Sequence, residues 1–226
     1  MSLRSLLKSN NSLLYLAAFV YNILHLSYPL RYIITGRVKC PGVFLKKTSF
    51  NIKGKGSRIE IGNGTRLREC SIMLHGTRCY VSIGGGRLVN TSLYLEDDRS
   101  SIKIGYNFSI ESGHIASTEG QSIIIGDDCM FSNDIEIRNG DSHAIIDMEN
   151  GLRTNKAQTV TIGNHVWLTA HCRVLKGSYI PDDCIIGNSA IVAGCLKKSH
   201  AIYGGSPLRI LKENKTWDRS RYKETY

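Results

Sequence analysis

The chain has 226 residues, room for one sizeable domain and a small appendage, and 42% hydrophobic content with 22 Gly and only 4 Pro excludes a disordered chain. Seven cysteines, odd in number and without a Cys-x-x-Cys pair, argue against a disulfide framework or a zinc site and favour a reducing cytoplasm. The formal net charge of +10 resides in residues 1–59, which hold ten Lys and Arg and no Asp or Glu; this fits a membrane surface, a polyanion or a solvated basic face, but not nucleic acid, because no basic–aromatic interleaving accompanies it.

Along the chain, the first feature is the apolar run LLYLAAFVY at 13–21, preceded by Arg4 and Lys8. It is too short to span a bilayer, and no clear small-x-small cleavage site follows it. The pattern predicts one helix over 3–26, buried against the domain or another subunit; a helix lying on a membrane is the alternative. Residues 1–40 are accordingly taken as a basic, apolar helical segment, 41–205 as the main domain and 206–226 as a closing segment with a short helix or tail.

A six-residue period organises the main domain. In 162–197 the hexads read IGNHVW, LTAHCR, VLKGSY, IPDDCI, IGNSAI and VAGCLK; the first position is always aliphatic (Ile162, Leu168, Val174, Ile180, Ile186, Val192) and the fifth mostly small. Neither an α-helix nor a hairpin has this period, whereas a parallel β-helix does. First positions point inward, and fifth positions, among them Cys172, Cys184 and by extension Cys129, sit where the coil turns. Upstream, Ile-Gly steps recur with glycines at 62, 84, 105, 126, 163 and 187, spaced 22, 21, 21, 37 and 24 residues apart. The long gap contains GDSHAII at 140–146. It must leave the ladder as a surface loop at about 138–158, and long loops in compact domains are usually functional or disordered.

Three stretches carry a family resemblance: NGDSHAIIDMENGLRTN, IGNHVWLTAHCRVLKGSYI and AIYGGSPLRIL. Residues 123–210 resemble the left-handed β-helix (hexapeptide-repeat) acyltransferases, most of all the bacterial O-acetyltransferases that modify capsular, polysialic or O-antigen polysaccharides. The first 40 residues carry little of this signal. The resemblance implies an all-β left-handed parallel β-helix, a homotrimer with sites between neighbouring prisms, acetyl-coenzyme A as donor, no metal, and a polysaccharide or glycan acceptor. It suits a cytoplasmic enzyme, working at the inner face of the cell membrane if the N-terminal segment makes a peripheral contact there.

Acetyl transfer to a sugar hydroxyl needs a proton acceptor, for which imidazole is suited, and a donor aimed at the oxyanion. His143 matches the family's catalytic histidine. Asp141 is a candidate orienting partner or an Asx-turn residue. Ser142 is read as a bystander, because the family transfers directly within a ternary complex. Trp167, at an outward hexad position, matches a residue lining the family's site; its indole N–H can donate and its ring can stack on sugar, or it packs at the trimer interface. Asn155 and His171 are candidate substrate contacts, Asn155 equally a residue that fixes the loop; His165 reads as structural. The resemblance places coenzyme A near Gly194, Lys197, Gly205, Ser206, Pro207 and Arg209. Other readings stay open: a small acceptor such as serine, a simple sugar or an antibiotic; a γ-type carbonic anhydrase, which would need His143, His165 and His171 to converge on a metal; or a non-catalytic β-helix.

Overall fold

The structure, a computed structural model, describes residues 10–25 and 29–221. Its body is a three-faced prism of parallel strands, the architecture of a left-handed β-helix. The first face stacks Val38–Lys39, Arg58–Ile61, Tyr80–Ile83, Ser101–Ile104, Ser122–Ile125, Val160–Ile162 and Tyr179–Ile180. The second face runs from Phe44–Lys46 through Trp167–Leu168 to Ala201–Gly204, and the third from Ser49–Ile52 to Ile191–Val192. Each coil hydrogen-bonds only to the coils above and below it, so the backbone ladder is satisfied along the prism axis.

All six first-position aliphatics of 162–197 are buried at the prism axis, and Cys172, Ser178, Cys184 and Ala190 are buried beside them; Leu196 is only partly covered. One spacing had a different origin from the others. Ile162 pairs with Ile180, 18 residues on, whereas Ile186 belongs to the second face and pairs with Leu168. The 24-residue step to Gly187 is therefore one coil plus one hexad. The recurring glycine after Ile has a steric cause: a Cβ on Gly84 would lie 2.3 Å from Gly105 O, and one on Gly126 would lie 2.6 Å from Gly163 O. The following Asp or Asn bonds from coil to coil at the same edge, Asp127 N to Asn164 Oδ1 (2.9 Å) and Asn164 N to Asp182 Oδ1 (2.7 Å).

The N-terminal helix is α1, Asn11–Leu24, capped by the Asn10 side chain on Ser12 N and Leu13 N. The rest of the expected span, 3–9 and residue 26, lies outside the described residues. Burial of this helix is partial: Ala18 and Asn22 are covered, while Leu13, Leu16, Phe19, Val20, Ile23 and Leu24 are exposed. Asn22 explains the seating. Its Nδ2 donates to Val43 O (2.8 Å) and its Oδ1 accepts from Leu45 N (2.7 Å), so one side-chain amide replaces the missing strand at the open edge of the first coil.

At the other end, where a short helix or tail was expected, no helix is found among the described residues. Arg209–Glu213 forms a strand antiparallel to Ala201–Gly204. Beyond it the chain turns back along the edge between the first and second faces. Lys215 N donates to His200 O (2.9 Å), Trp217 Nε1 to His165 O (2.8 Å), and Arg219 reaches Asp128, Ser109 and Asn107. This strap crosses several coils and ties the last turn to the middle of the prism.

Candidate active site

The chain leaves the prism after the third-face strand Ile135–Arg138 and rejoins it at Val160, so the excursion emerges at the edge between the third and first faces. It is ordered by its own polar residues. Ile146 and Arg153 form an antiparallel bridge, and Asp147 N bonds Leu152 O (2.9 Å) below a turn held by the Asp147 carboxylate. Arg153 pairs with Glu119 on the prism wall, which also accepts from Ala157 N (3.1 Å); the Arg153 guanidinium, then that backbone N–H, hold the Glu119 carboxyl below its ordinary value.

Asn155 is the centre of the loop. It is buried; Nδ2 donates to Asp141 Oδ2 and His143 O, both at 2.8 Å, and Oδ1 accepts from Ile145 N (2.7 Å) and Arg153 Nε (3.1 Å). Two donors and two acceptor positions are the whole capacity of an amide, so nothing is left for a substrate. These bonds are those of a residue that fixes the loop, one of the two readings open for Asn155. Asp141 also departs from expectation. Its carboxylate meets Lys176 Nζ and the Asn155 amide, not the imidazole, and it touches His143 only through its backbone carbonyl, which accepts from His143 N (2.8 Å). Lys176, then Asn155, hold the Asp141 carboxyl below its usual value.

His143 is thereby fixed on both sides of its backbone while its exposed ring makes no hydrogen bond among the described residues. Ser142 takes a left-handed backbone (φ 64°) and lies 3.5 Å from the Arg138 guanidinium. No hydrogen bond of this serine to the His143 ring exists among the described residues.

The same edge continues downward. Lys176 and Gly177 lie one coil below the loop, and Gly194 and Cys195 one coil below those, joined by Gly194 N to Ser178 Oγ (3.3 Å) and Tyr179 N to Gly194 O (3.3 Å). There a cleft of about 410 Å³ opens, lined by Gly194, Cys195, Gly205, Ser206 and Pro207 with Ile191, Ala193, Leu196 and Leu208. The structure thus brings together four of the six residues expected at the donor. Lys197 and Arg209 are exposed and do not line it. At a coil spacing of about 4.8 Å, the cleft begins about 10 Å from the loop that carries His143.

Trp167 lies elsewhere. It starts the second-face strand Trp167–Leu168 between Met130 and Ile185, with Leu168 pointing inward and the indole outward. The second face is opposite the edge where the loop is anchored, so one chain does not bring Trp167 and His143 into one site. Beside Trp167 is a residue the sequence did not disclose: Trp217 of the strap, buried, with its ring centroid 6.2 Å from that of Trp167. A lone aromatic in a polar tail gives no periodic signal. Trp217 stacks on His165 (4.1 Å between centroids, 8° between planes). His165 is fully engaged, with Nδ1 2.6 Å from Asp128 Oδ2 and Nε2 3.0 Å from Trp217 O. This matches its structural reading. Burial alone would raise the Asp128 carboxyl, but His165 and Arg219 outweigh it and hold it low.

His171 sits farther along Trp167's coil, exposed, with Nδ1 3.0 Å from Asp134. His143, His165 and His171 therefore occupy three different edges of the chain's prism and do not converge. The buried thiols are poor nucleophiles: burial pushes Cys129 up to about 12 and Cys40, Cys70 and Cys184 to about 11, leaving Cys195 as the exposed one.

No protein-family model matches the chain. It is 32% identical over 190 residues to the polysialic acid O-acetyltransferase of Neisseria meningitidis, covering 79% of this chain and 83% of that protein. It is 29% identical over 121 residues to the polysialic acid O-acetyltransferase of Escherichia coli O1:K1 / APEC, covering 54% of this chain and 39% of that one. Its fold superposes on the crystal structure of the polysialic acid O-acetyltransferase OatWY with a TM-score of 0.67 and 29% identity, over 81% of this chain and 93% of the other. The hexad core, the single long excursion and these similarities lead to one conclusion: the chain belongs to the hexapeptide-repeat O-acetyltransferase family.

Proposed function

We infer that the enzyme moves an acetyl group from acetyl-coenzyme A to a hydroxyl of a bacterial capsular polysaccharide or its precursor, with His143 as general base. One observation carries this reading: the fixed backbone and open ring of His143 share an edge with the glycine-lined cleft two coils below. Backbone groups at Gly194 and Gly205, free of Cβ shielding, suit a long donor arm, and Lys176 lies between cleft and base. His143 accepts the acceptor's hydroxyl proton as that oxygen attacks the acetyl carbonyl, and returns it to the departing thiolate. Trp167 donates from its indole N–H or stacks on the acceptor.

Because His143 and Trp167 face opposite sides of one prism, a site using both takes one residue from each of two neighbouring chains, in keeping with a homotrimer. The exposed apolar loop residues Ile145, Met148 and Leu152 supply surface for that neighbour. The exposed apolar side of α1, beside the basic N-terminal charge, supports a peripheral membrane contact; no helix among the described residues is long and apolar enough to cross a membrane. The functional test is incubation with labelled acetyl-coenzyme A and a panel of bacterial glycans, with mapping of the acetylated hydroxyl. Label transferred only to small free acceptors overturns the polysaccharide reading.

A further inference from the structure

The backbone and the side chain of Trp167 are held by different parts of the protein. The coil ladder fixes the main chain: Trp167 N donates to Cys184 O (2.9 Å), and Val166 O and Leu168 O accept from Met130 N (3.0 Å) and Ser132 N (2.9 Å). The indole points outward from that strand, and its Nε1–H makes no hydrogen bond among the described residues. Its neighbours in the outward column are Met130 and Ile185, neither of which carries a ring. The torsions of this large outward side chain are therefore left to packing from the side. Trp217 supplies it, with its ring centroid 6.2 Å away and its plane tilted by 53°, inside the range in which aromatic pairs attract.

The strap is built around that one ring. Across 214–220 Trp217 is buried, while its neighbours are exposed or half-buried. His165, two residues before Trp167, receives it in three ways. The two rings stack at 4.1 Å, Trp217 Nε1 donates to His165 O (2.8 Å), and His165 Nε2 lies 3.0 Å from Trp217 O. His165 takes a left-handed backbone (φ 53°) at the turn that feeds the Trp167 strand. Arg219 lies over the same indole (5.5 Å) while it donates to Ser109 Oγ (2.9 Å) and Cys129 O (3.0 Å). The place of Trp217 is thus over-determined, whereas the Trp167 ring has Trp217 to rest on. A clip that served only to tie coils together could close on any coil; this one closes on the turn that carries Trp167.

We propose that Trp217 is a positioning residue for the acceptor site: it fixes the plane of the Trp167 indole, so that the free N–H and the open face of that ring are presented to the acceptor in one orientation. The proposal rests on the reading of Trp167 as an acceptor contact, and it makes the strap part of the site as well as a tie for the last coil. Trp217 is itself buried and acts through Trp167. Its loss therefore costs acceptor affinity and leaves donor binding alone.

The test uses the full chain and two readouts. The protein holds 2 tryptophans, so Trp217→Leu, which keeps apolar bulk without a ring, and Trp217→Phe, which keeps a ring, each leave Trp167 as the sole indole. Time-resolved fluorescence anisotropy should show a nanosecond wobble of Trp167 in the leucine variant that the phenylalanine variant largely suppresses. Equal wobble in both, or none in either, overturns the proposal. In acetyl transfer to a ten-unit sialic acid oligomer, Trp217→Leu should raise the acceptor KM about threefold to tenfold, the scale of one aromatic pair, with kcat and the acetyl-coenzyme A KM little changed. In a Trp167→Ala background the same substitution should add nothing, because the residue it acts through is gone. Asn22→Ala, which unseats α1 from the first coil, is the stability control: it should lower the melting temperature and leave the acceptor KM unchanged. A KM that rises as much in Asn22→Ala, or that rises equally with and without Trp167, reduces Trp217 to a structural clip and overturns the proposal. Where the oligomer is not acetylated, or Trp167→Ala leaves its KM unchanged, the functional reading fails by itself and the anisotropy pair decides whether Trp217 fixes Trp167.

Discussion

Two edges of the same prism treat a histidine in opposite ways. On the strap edge, His165 has both ring nitrogens within hydrogen-bond distance of Asp128 and Trp217 O, and its ring face is covered by an indole. On the loop edge, His143 has its N–H and C=O held by Asp141 and Asn155 while its ring stays open. The first arrangement spends the imidazole on holding the tail down. The second spends the surrounding polar groups on holding the imidazole out. A base needs a free ring nitrogen on a well-placed backbone, and of these two edges it is the loop edge that has both.

This contrast is most sharply broken by removing the open ring. His143→Ala is expected to lower kcat by at least about 100-fold, the lower end of general-base contributions, with coenzyme A binding by calorimetry intact. Equivalent loss in His165→Ala without loss of stability would erase the distinction between the edges. Next in size is Asn155→Ala, which removes every side-chain bond at the centre of the loop. A misplacement of about 1 Å is worth up to about 100-fold, so kcat should fall by about tenfold to 100-fold, while limited proteolysis should newly cut within 141–154. Trp217→Ala should lower the melting temperature, because a buried aromatic is lost at a cost of about 3 kcal/mol or more, and should change activity less than the loop variants do.

Smaller still is the pH effect of Lys176→Met. Asp141's carboxyl is held low by Lys176, so its anchorage is complete above the ordinary Asp value and is lost as pH falls through the lowered one. The variant should lose loop protection at higher pH than the wild type, measured by hydrogen exchange across 141–155. Finally, Cys195 lines the cleft proposed for the donor and is the exposed cysteine. Its alkylation should be slowed by coenzyme A, and unchanged labelling would move the donor away from that cleft.

The coil was legible because its cause is local and periodic: an inward aliphatic every six residues cannot be hidden by tertiary context. The excursion was legible as an interruption of that period, and His143 through the surrounding family string. What the sequence concealed depends on contacts between distant positions. Asp141's partner, Lys176, is 35 residues away and meets it only because one coil stacks on another. Asn155 reads equally as a substrate contact or a residue that fixes the loop until its four bonds are counted. The strap was hidden most completely, since Trp217 and Arg219 act 52 and 91 residues from His165 and Asp128. The glycine at 187 was misaligned because an Ile-Gly step looks the same on any face. The closing segment, read as a short helix or tail, forms a strand that pairs with the last coil.

The proposed division of the site between two chains can be tested by mixing two impaired variants. His143→Ala and Trp167→Ala are co-folded, and acetyl transfer is compared with that of each variant alone. A site built from His143 of one chain and Trp167 of its neighbour predicts that activity returns, because mixed assemblies contain pairings with both residues intact. Activity that stays at the level of the separate variants, in mixtures shown to contain both chains, would contradict it.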